Sequence, residues 1–178
     1  MPKDWPQQNN FKNPDIGTDA KILSAGHTFT ITGENTSYKI EKVEMASDVA
    51  KQFGLKINRV VPIYWVKGMS PGRQGGYHPK TDSVFMFENN TDETTLEHEL
   101  VHAIEFHTPA TPELISLWEK AKEVISESSF SGNFVTFNFV RNVHEFIAEG
   151  KTRPAFIDAL KKENLYDEFL EQTDYIFK

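Results

Sequence analysis

The order of apolar and polar positions divides the chain into a strand-like first half and a helical second half. His27–Thr32 and Tyr38–Val43 read as two short β-runs, and Gly33-Glu-Asn-Thr36 between them has hairpin turn chemistry. Over Ser47–Phe53 the spacing becomes helical, with Val49, Ala50 and Phe53 on one face and Gly54 as the stop. Asn58–Val66 is rich in β-branched and aromatic residues and predicts a buried strand, with Pro62 pointing to a bulge or an edge. Gly68–Asp82 carries Gly68, Gly72, Gly75 and Gly76, reads as a loop, and closes in the turn Pro79–Asp82; Ser83–Glu88 looks like a further strand. From about Thr91 onward the pattern predicts helices over Asp92–Phe106, Pro112–Glu127, Phe139–Lys151, Arg153–Glu163 and Leu165–Tyr175. Strands first and helices afterwards predict an α+β domain.

Residues 1–15 are polar and carry Pro2, Pro6 and Pro14, so they read as an irregular arm that Trp5 and Phe11 could pin to the body. The rest, 16–178, reads as a single domain with an upper sheet lobe to about residue 107 and a lower helical lobe from about 108. A chain of 178 residues, 38% hydrophobic and 25% charged, can bury a core without staples. The absence of Cys excludes disulfides and every cysteine-based metal site or nucleophile. A net charge of −7, from 19 Lys+Arg against 26 Asp+Glu, argues against nucleic acid as the main partner. No segment approaches the roughly 18 unbroken apolar residues of a membrane span, so no membrane partner is expected. The first ten residues lack the apolar stretch of a secretory signal, which predicts a cytoplasmic protein as given, or a secreted one after loss of a leader. No pattern sets the oligomeric state.

The chemistry concentrates in His98-Glu99-Leu100-Val101-His102, an HExxH motif. At about 100° per residue, the two histidines lie about 40° apart on one helix face, so both imidazoles can reach one ion. Glu99, next to the first ligand, can lean over the metal and take a proton from its water. Thr91 or Asp92 can cap this helix, and Leu96, Leu100, Ala103 and Ile104 supply its core stripe. With 6 His in 178 residues, chance matches are expected only roughly 0.02 times, which weighs against two ordinary surface histidines. An open zinc site needs a third protein ligand, and Asn142–Glu149 on a later helix offers one. Glu145 can bind the metal. Glu149, four residues on and on the same face, can accept the free N–H of a ligand histidine and fix its orientation.

HExxH followed by a helix bearing Glu-x-x-x-Glu resembles the gluzincin metallopeptidases. Glu145-Phe-Ile-Ala-Glu149 is similar to the Glu-Phe-Phe-Ala-Glu stretch of the anthrax lethal factor catalytic domain, and the spacing from His98 suits the lethal-factor-like clan, which includes the Pro-Pro endopeptidases. The resemblance covers about residues 75–150. It implies one zinc ion per chain held by His98, His102 and Glu145, Glu99 as general base, Glu149 behind the ligands, and a zincin-like fold with a small twisted sheet above the HExxH helix and a helical lower lobe. Those relatives place a tyrosine seven residues before the third ligand, where its hydroxyl helps stabilise the oxyanion. Here that position is Asn138, and Tyr77 is a candidate substitute.

Gly75-Gly-Tyr-His78 with Ser83–Phe87 looks like a hairpin whose edge strand could pair with an extended peptide, or like an ordinary surface hairpin. His107 lies roughly 140° around the helix from His102, which keeps it off the same ion. His144, beside Glu145, is a rival ligand. Phe130, Phe134, Phe137, Phe139 and Phe146 read as core or cleft-wall aromatics, and the acidic stretch from Glu163 to Asp174 as a solvated helix face. The expected function is zinc-dependent hydrolysis of peptide bonds in a peptide or protein substrate. The alternative is a catalytically weak or inactive zincin-fold module that captures peptides. Zinc-assisted hydrolysis of a non-peptide substrate suits the glutamate ligand and the hairpin less well.

Overall fold

The computed structural model describes residues 22–30, 37–67, 75–87, 93–125 and 138–178. The arm at 1–15, the turn at 33–36, the proposed caps at 91 and 92, and Phe130, Phe134 and Phe137 lie outside the described residues. The architecture is α+β. Among the described residues, the strands β1 (Thr28–Thr30), β2 (Ser37–Met45), β3 (Pro62–Lys67), β4 (Gly75–His78) and β5 (Ser83–Phe87) form one curled sheet in the order β1-β2-β3-β5-β4. The helices are α1 (Ala46–Ala50), α2 (Glu93–Glu105), α3 (Pro112–Val124), α4 (Val143–Thr152), α5 (Pro154–Lys162) and α6 (Tyr166–Thr173). Among them none is long and apolar enough to cross a membrane. The chain divides into two compact units, Met1–Ala103 and Ile104–Lys178.

In the first unit, β3 and β5 run parallel in the middle of the sheet and every other pairing is antiparallel. Central strands are buried on both faces, which is why all five residues of β5 are inaccessible while β2 alternates exposed and buried positions up to Ile40. One face is filled by Phe29, Tyr38, Ile40, Tyr64, Val66, Phe85 and Phe87. Tyr38 meets Phe87 edge-on at 5.3 Å, Tyr64 meets Phe85 tilted at 5.1 Å and Phe29 stacks on Tyr38 at 5.6 Å, within the range favoured by aromatic quadrupoles.

Two local readings change here. The strand expected from Asn58 begins only at Pro62, and that proline marks neither an edge nor a bulge. It occupies the first position of a central strand, where a missing N–H costs no ladder bond. The bulge sits in β2 instead: the register against β3 shifts between Ile40 and Lys42, leaving Glu41 over. After α1, a 3-10 turn at Lys51–Phe53 ends at Gly54, whose φ of 70° supplies the left-handed stop read from the sequence.

The second unit is helical. Thr111 caps α3 by accepting the Leu114 N–H at 3.1 Å, with Pro112 at the first helical position. The helix expected from Phe139 starts at Val143, because Asn138–Val140 turns as a 3-10 segment first. The core is aromatic: Phe139, Phe146, Phe156 and Phe169 are all at most 1% exposed and touch in series. Gly150 makes this packing possible, since a Cβ there would fall 2.2 Å from Cζ of Phe169.

Candidate metal centre

Helix α2 carries the motif through thirteen residues without a break. One turn of helix brings the rings of His98 and His102 to a centroid distance of 4.7 Å, nearly perpendicular, with their Nε2 atoms 3.2 Å apart. Two nitrogen ligands at about 2.0–2.1 Å from a tetrahedral ion stand about 3.3 Å apart, so the pair is spaced as a zinc site requires. His102 is 8% exposed and Glu99 9%. Burial of a carboxylate needs a donor, and the backbone N–H of Tyr77 on β4 supplies it, reaching Oε1 of Glu99 at 3.1 Å. Among the described residues β4 is an edge strand, so this N–H is one that a sheet edge leaves available.

In α4, the side chain of Asn142 accepts the N–H of Glu145 at 2.9 Å. This cap starts the helix where it does and sets Glu145 in the first turn, where the helix dipole favours a negative charge. His98, His102 and Glu145 each offer one ligand atom, and these atoms lie within 4.8 Å of one another. Two imidazoles and one carboxylate form a donor set able to hold a divalent metal ion such as zinc.

The other sequence candidates fall in different places. Glu149 is 1% exposed and accepts from Nε of Arg153 at 2.7 Å, one turn along the chain. Nδ1 of His144, the rival ligand, pairs at 2.7 Å with the fully buried Glu105, while its ring stacks on Phe106 at 4.5 Å. The cluster of ligand atoms contains Glu145 rather than His144. His107 is exposed just beyond α2. Asn138 opens the 3-10 turn ahead of α4.

Tyr77 takes a different part from the one expected of it. Its ring is 1% exposed, and its hydroxyl donates to Oδ1 of Asp82 rather than facing outward. Burial first, and then Asp82, push that hydroxyl well above the ordinary tyrosine range, so it keeps its proton and shares it with Asp82. What Tyr77 offers to the motif is its backbone. Asp82, also 1% exposed, accepts from Nε and Nη2 of Arg59 at 2.6 Å each, and the same Nη2 donates to the carbonyl of Ala103 at 2.7 Å. Burial works against the Arg59 charge, but the bonds and charge of Asp82 outweigh it and hold the guanidinium above its usual value. At the hairpin turn, Thr81 Oγ1 pairs with His78 Nδ1 and Ser83 Oγ, each at 2.8 Å. Burial and then Lys80 hold the His78 imidazole below its ordinary value.

Arg59, Asp82 and Glu105 escaped the sequence reading. A buried acid requires a partner, but nothing local names one: Arg59 is 23 positions from Asp82, and His144 is 39 from Glu105. The left-handed backbone of Asp82, with φ of 49°, is the one trace a turn motif leaves in sequence. No family model, curated protein or solved structure matches this chain.

Proposed function

We propose that this protein is a zinc-dependent endopeptidase with a zincin-like fold, in which His98, His102 and Glu145 hold one Zn²⁺ and Glu99 is the general base. The observation that carries the reading is the gathering of three ligand atoms within 4.8 Å, two of them from an HExxH helix. When bound, the ion supplies a Lewis acid for the scissile carbonyl and lowers the pKa of water towards ~7, from about 15.7 in bulk. Glu99 takes the proton of the attacking water and returns it to the leaving amine. The Tyr77 N–H on Oε1 orients the carboxylate, and the second oxygen carries the proton. The edge strand β4 offers backbone groups against which an extended peptide can lie.

A second reading, a zincin-fold module that captures peptides without cutting them, has one observation in its favour. The hydroxyl that was to replace the missing tyrosine is given to Asp82, and Asn138, an amide, stands at the tyrosine's place in the chain.

Metal analysis of the purified protein and incubation with a mixed peptide library, with and without chelator, separate the two. Chelator-sensitive cleavage supports the peptidase; peptide binding that survives chelation, without cleavage, supports the module. Glu99→Gln is expected to keep zinc and lose about 10²–10⁴ in turnover, the range for a general base. His98→Ala and Glu145→Ala are expected to lose the metal as well. Normal cleavage by Glu99→Gln would overturn the assignment of the base.

A further inference from the structure

We propose that Arg59 and Asp82 are positioning residues for Glu99, locking the β4–β5 hairpin to the last turn of α2 so that the Tyr77 N–H holds the Glu99 carboxylate in one orientation. The inference rests on reading Glu99 as the general base.

Four observations lead to it. The guanidinium of Arg59 grips Asp82 with two parallel hydrogen bonds of 2.6 Å, a fork that fixes direction as well as distance. Asp82 ends the turn between β4 and β5 and also receives the hydroxyl of Tyr77, so the hairpin's own side chain closes on the same carboxylate. Nη2 of Arg59 reaches the carbonyl of Ala103, one of the last four of α2, which have no partner within the helix. A cation suits that negative helix end. Finally, the backbone N–H of that same tyrosine meets Glu99, four residues before Ala103 on α2. The hairpin is therefore fastened to α2 at two points: the Arg59 bridge at Ala103 and the Tyr77 N–H at Glu99. With the first in place, the second has little freedom, and a displacement of about 1 Å at a reacting group can cost about 100-fold in rate.

The test uses the full-length zinc-loaded protein, with rates expressed per bound zinc well below the melting temperature. Asp82→Asn keeps the shape and tolerates the left-handed backbone, yet loses the charged fork. It is expected to lower kcat about 10- to 100-fold with KM and zinc content changed less than about twofold. Tyr77→Phe keeps the backbone N–H and loses only the hydroxyl bond, so a smaller fall is expected. Arg59→Lys keeps a charge and restores part of the rate relative to Arg59→Ala. A residue that only stabilises the fold lowers the melting temperature and leaves kcat per bound zinc unchanged; that result would overturn the proposal. Amide exchange at Tyr77, measured on the metal-free protein, reads the same lock without catalysis. Faster exchange in Asp82→Asn, in a protein that cleaves nothing, would keep the positioning and remove only the peptidase reading. Unchanged exchange in Asp82→Asn would sink the positioning itself.

Discussion

Asp82 and Glu149 are both buried carboxylates, each 1% exposed and each accepting from the Nε of an arginine, yet they are held in opposite ways. Asp82 lies in the sheet unit, and its arginine comes from 23 residues away. That arginine also reaches the end of a helix 44 residues further on. Glu149 lies in the helical unit, and its arginine is four residues along, so one helical turn already brings the two together. The first pair joins segments that are distant in the chain, whereas the second joins two residues four apart at the end of α4. Similar distances, 2.6 Å and 2.7 Å, therefore do not imply equal consequences.

The sharpest way to break this comparison is Arg59→Ala. It strands a buried carboxylate, with both fork bonds gone and a helix carbonyl released, and is expected to cost about 3–5 kcal/mol in urea unfolding. A loss no greater than that of Arg153→Ala would erase the distinction.

The tyrosines of the sheet unit sharpen it through pH. Tyr64 accepts the N–H of Leu23, and burial pushes its hydroxyl up to about 12 despite that bond. A tyrosine that keeps its proton longer in the folded state contributes fully below its unfolded value near pH 10, and that contribution is lost as pH rises to the folded value. Stability is expected to fall by roughly 2–3 kcal/mol between pH 10 and 12 on this account. Comparing denaturant midpoints across that window, Tyr64→Phe should show a shallower fall; an identical slope would refute the attribution.

In the helical unit, the tight long-range point is Gly150. Its replacement by Ala is expected to cost about 1–3 kcal/mol by thermal or urea unfolding, because the new methyl meets the Phe169 ring. Trimming the ring in the double variant Gly150→Ala/Phe169→Leu should then cost less than the two changes added separately. Additive losses would place the strain elsewhere.

The smallest effect is expected at Arg153→Ala, about 1–2 kcal/mol, since its side chain is 37% exposed and solvent can reach part of what it leaves. A larger loss than that of Arg59→Ala would reverse the comparison.

Legibility in the sequence follows the same division. Helix limits near α3, α5 and α6 were readable within a few residues, because prolines, caps and apolar spacing act over one or two turns. The β4–β5 hairpin was visible in its glycines and in the turn Pro79–Asp82. The start of β3 and the extra residue in β2 were misread, since strand pairing is decided by a partner elsewhere in the chain. The role given to Tyr77 changed for a related reason. A tyrosine's type announces a hydroxyl, but which group that hydroxyl meets depends on the sheet, and here it is Asp82.

The amino-acid sequence by itself determined the motif's inner geometry, because residues four apart on a helix share a face whatever surrounds them, and the two imidazoles stand together as that rule demands. The Asn142 cap of Glu145's helix and the bond between Glu149 and Arg153 also act over one turn, yet the sequence reading placed the helix start at Phe139 and gave Glu149 to a ligand histidine. Tertiary structure decided which N–H meets Glu99, which arginine meets Asp82 and which acid joins the two histidines. Side-chain hydrogen bonds reach only about 3 Å, and residues far apart in the chain come that close only when the backbone between them has folded.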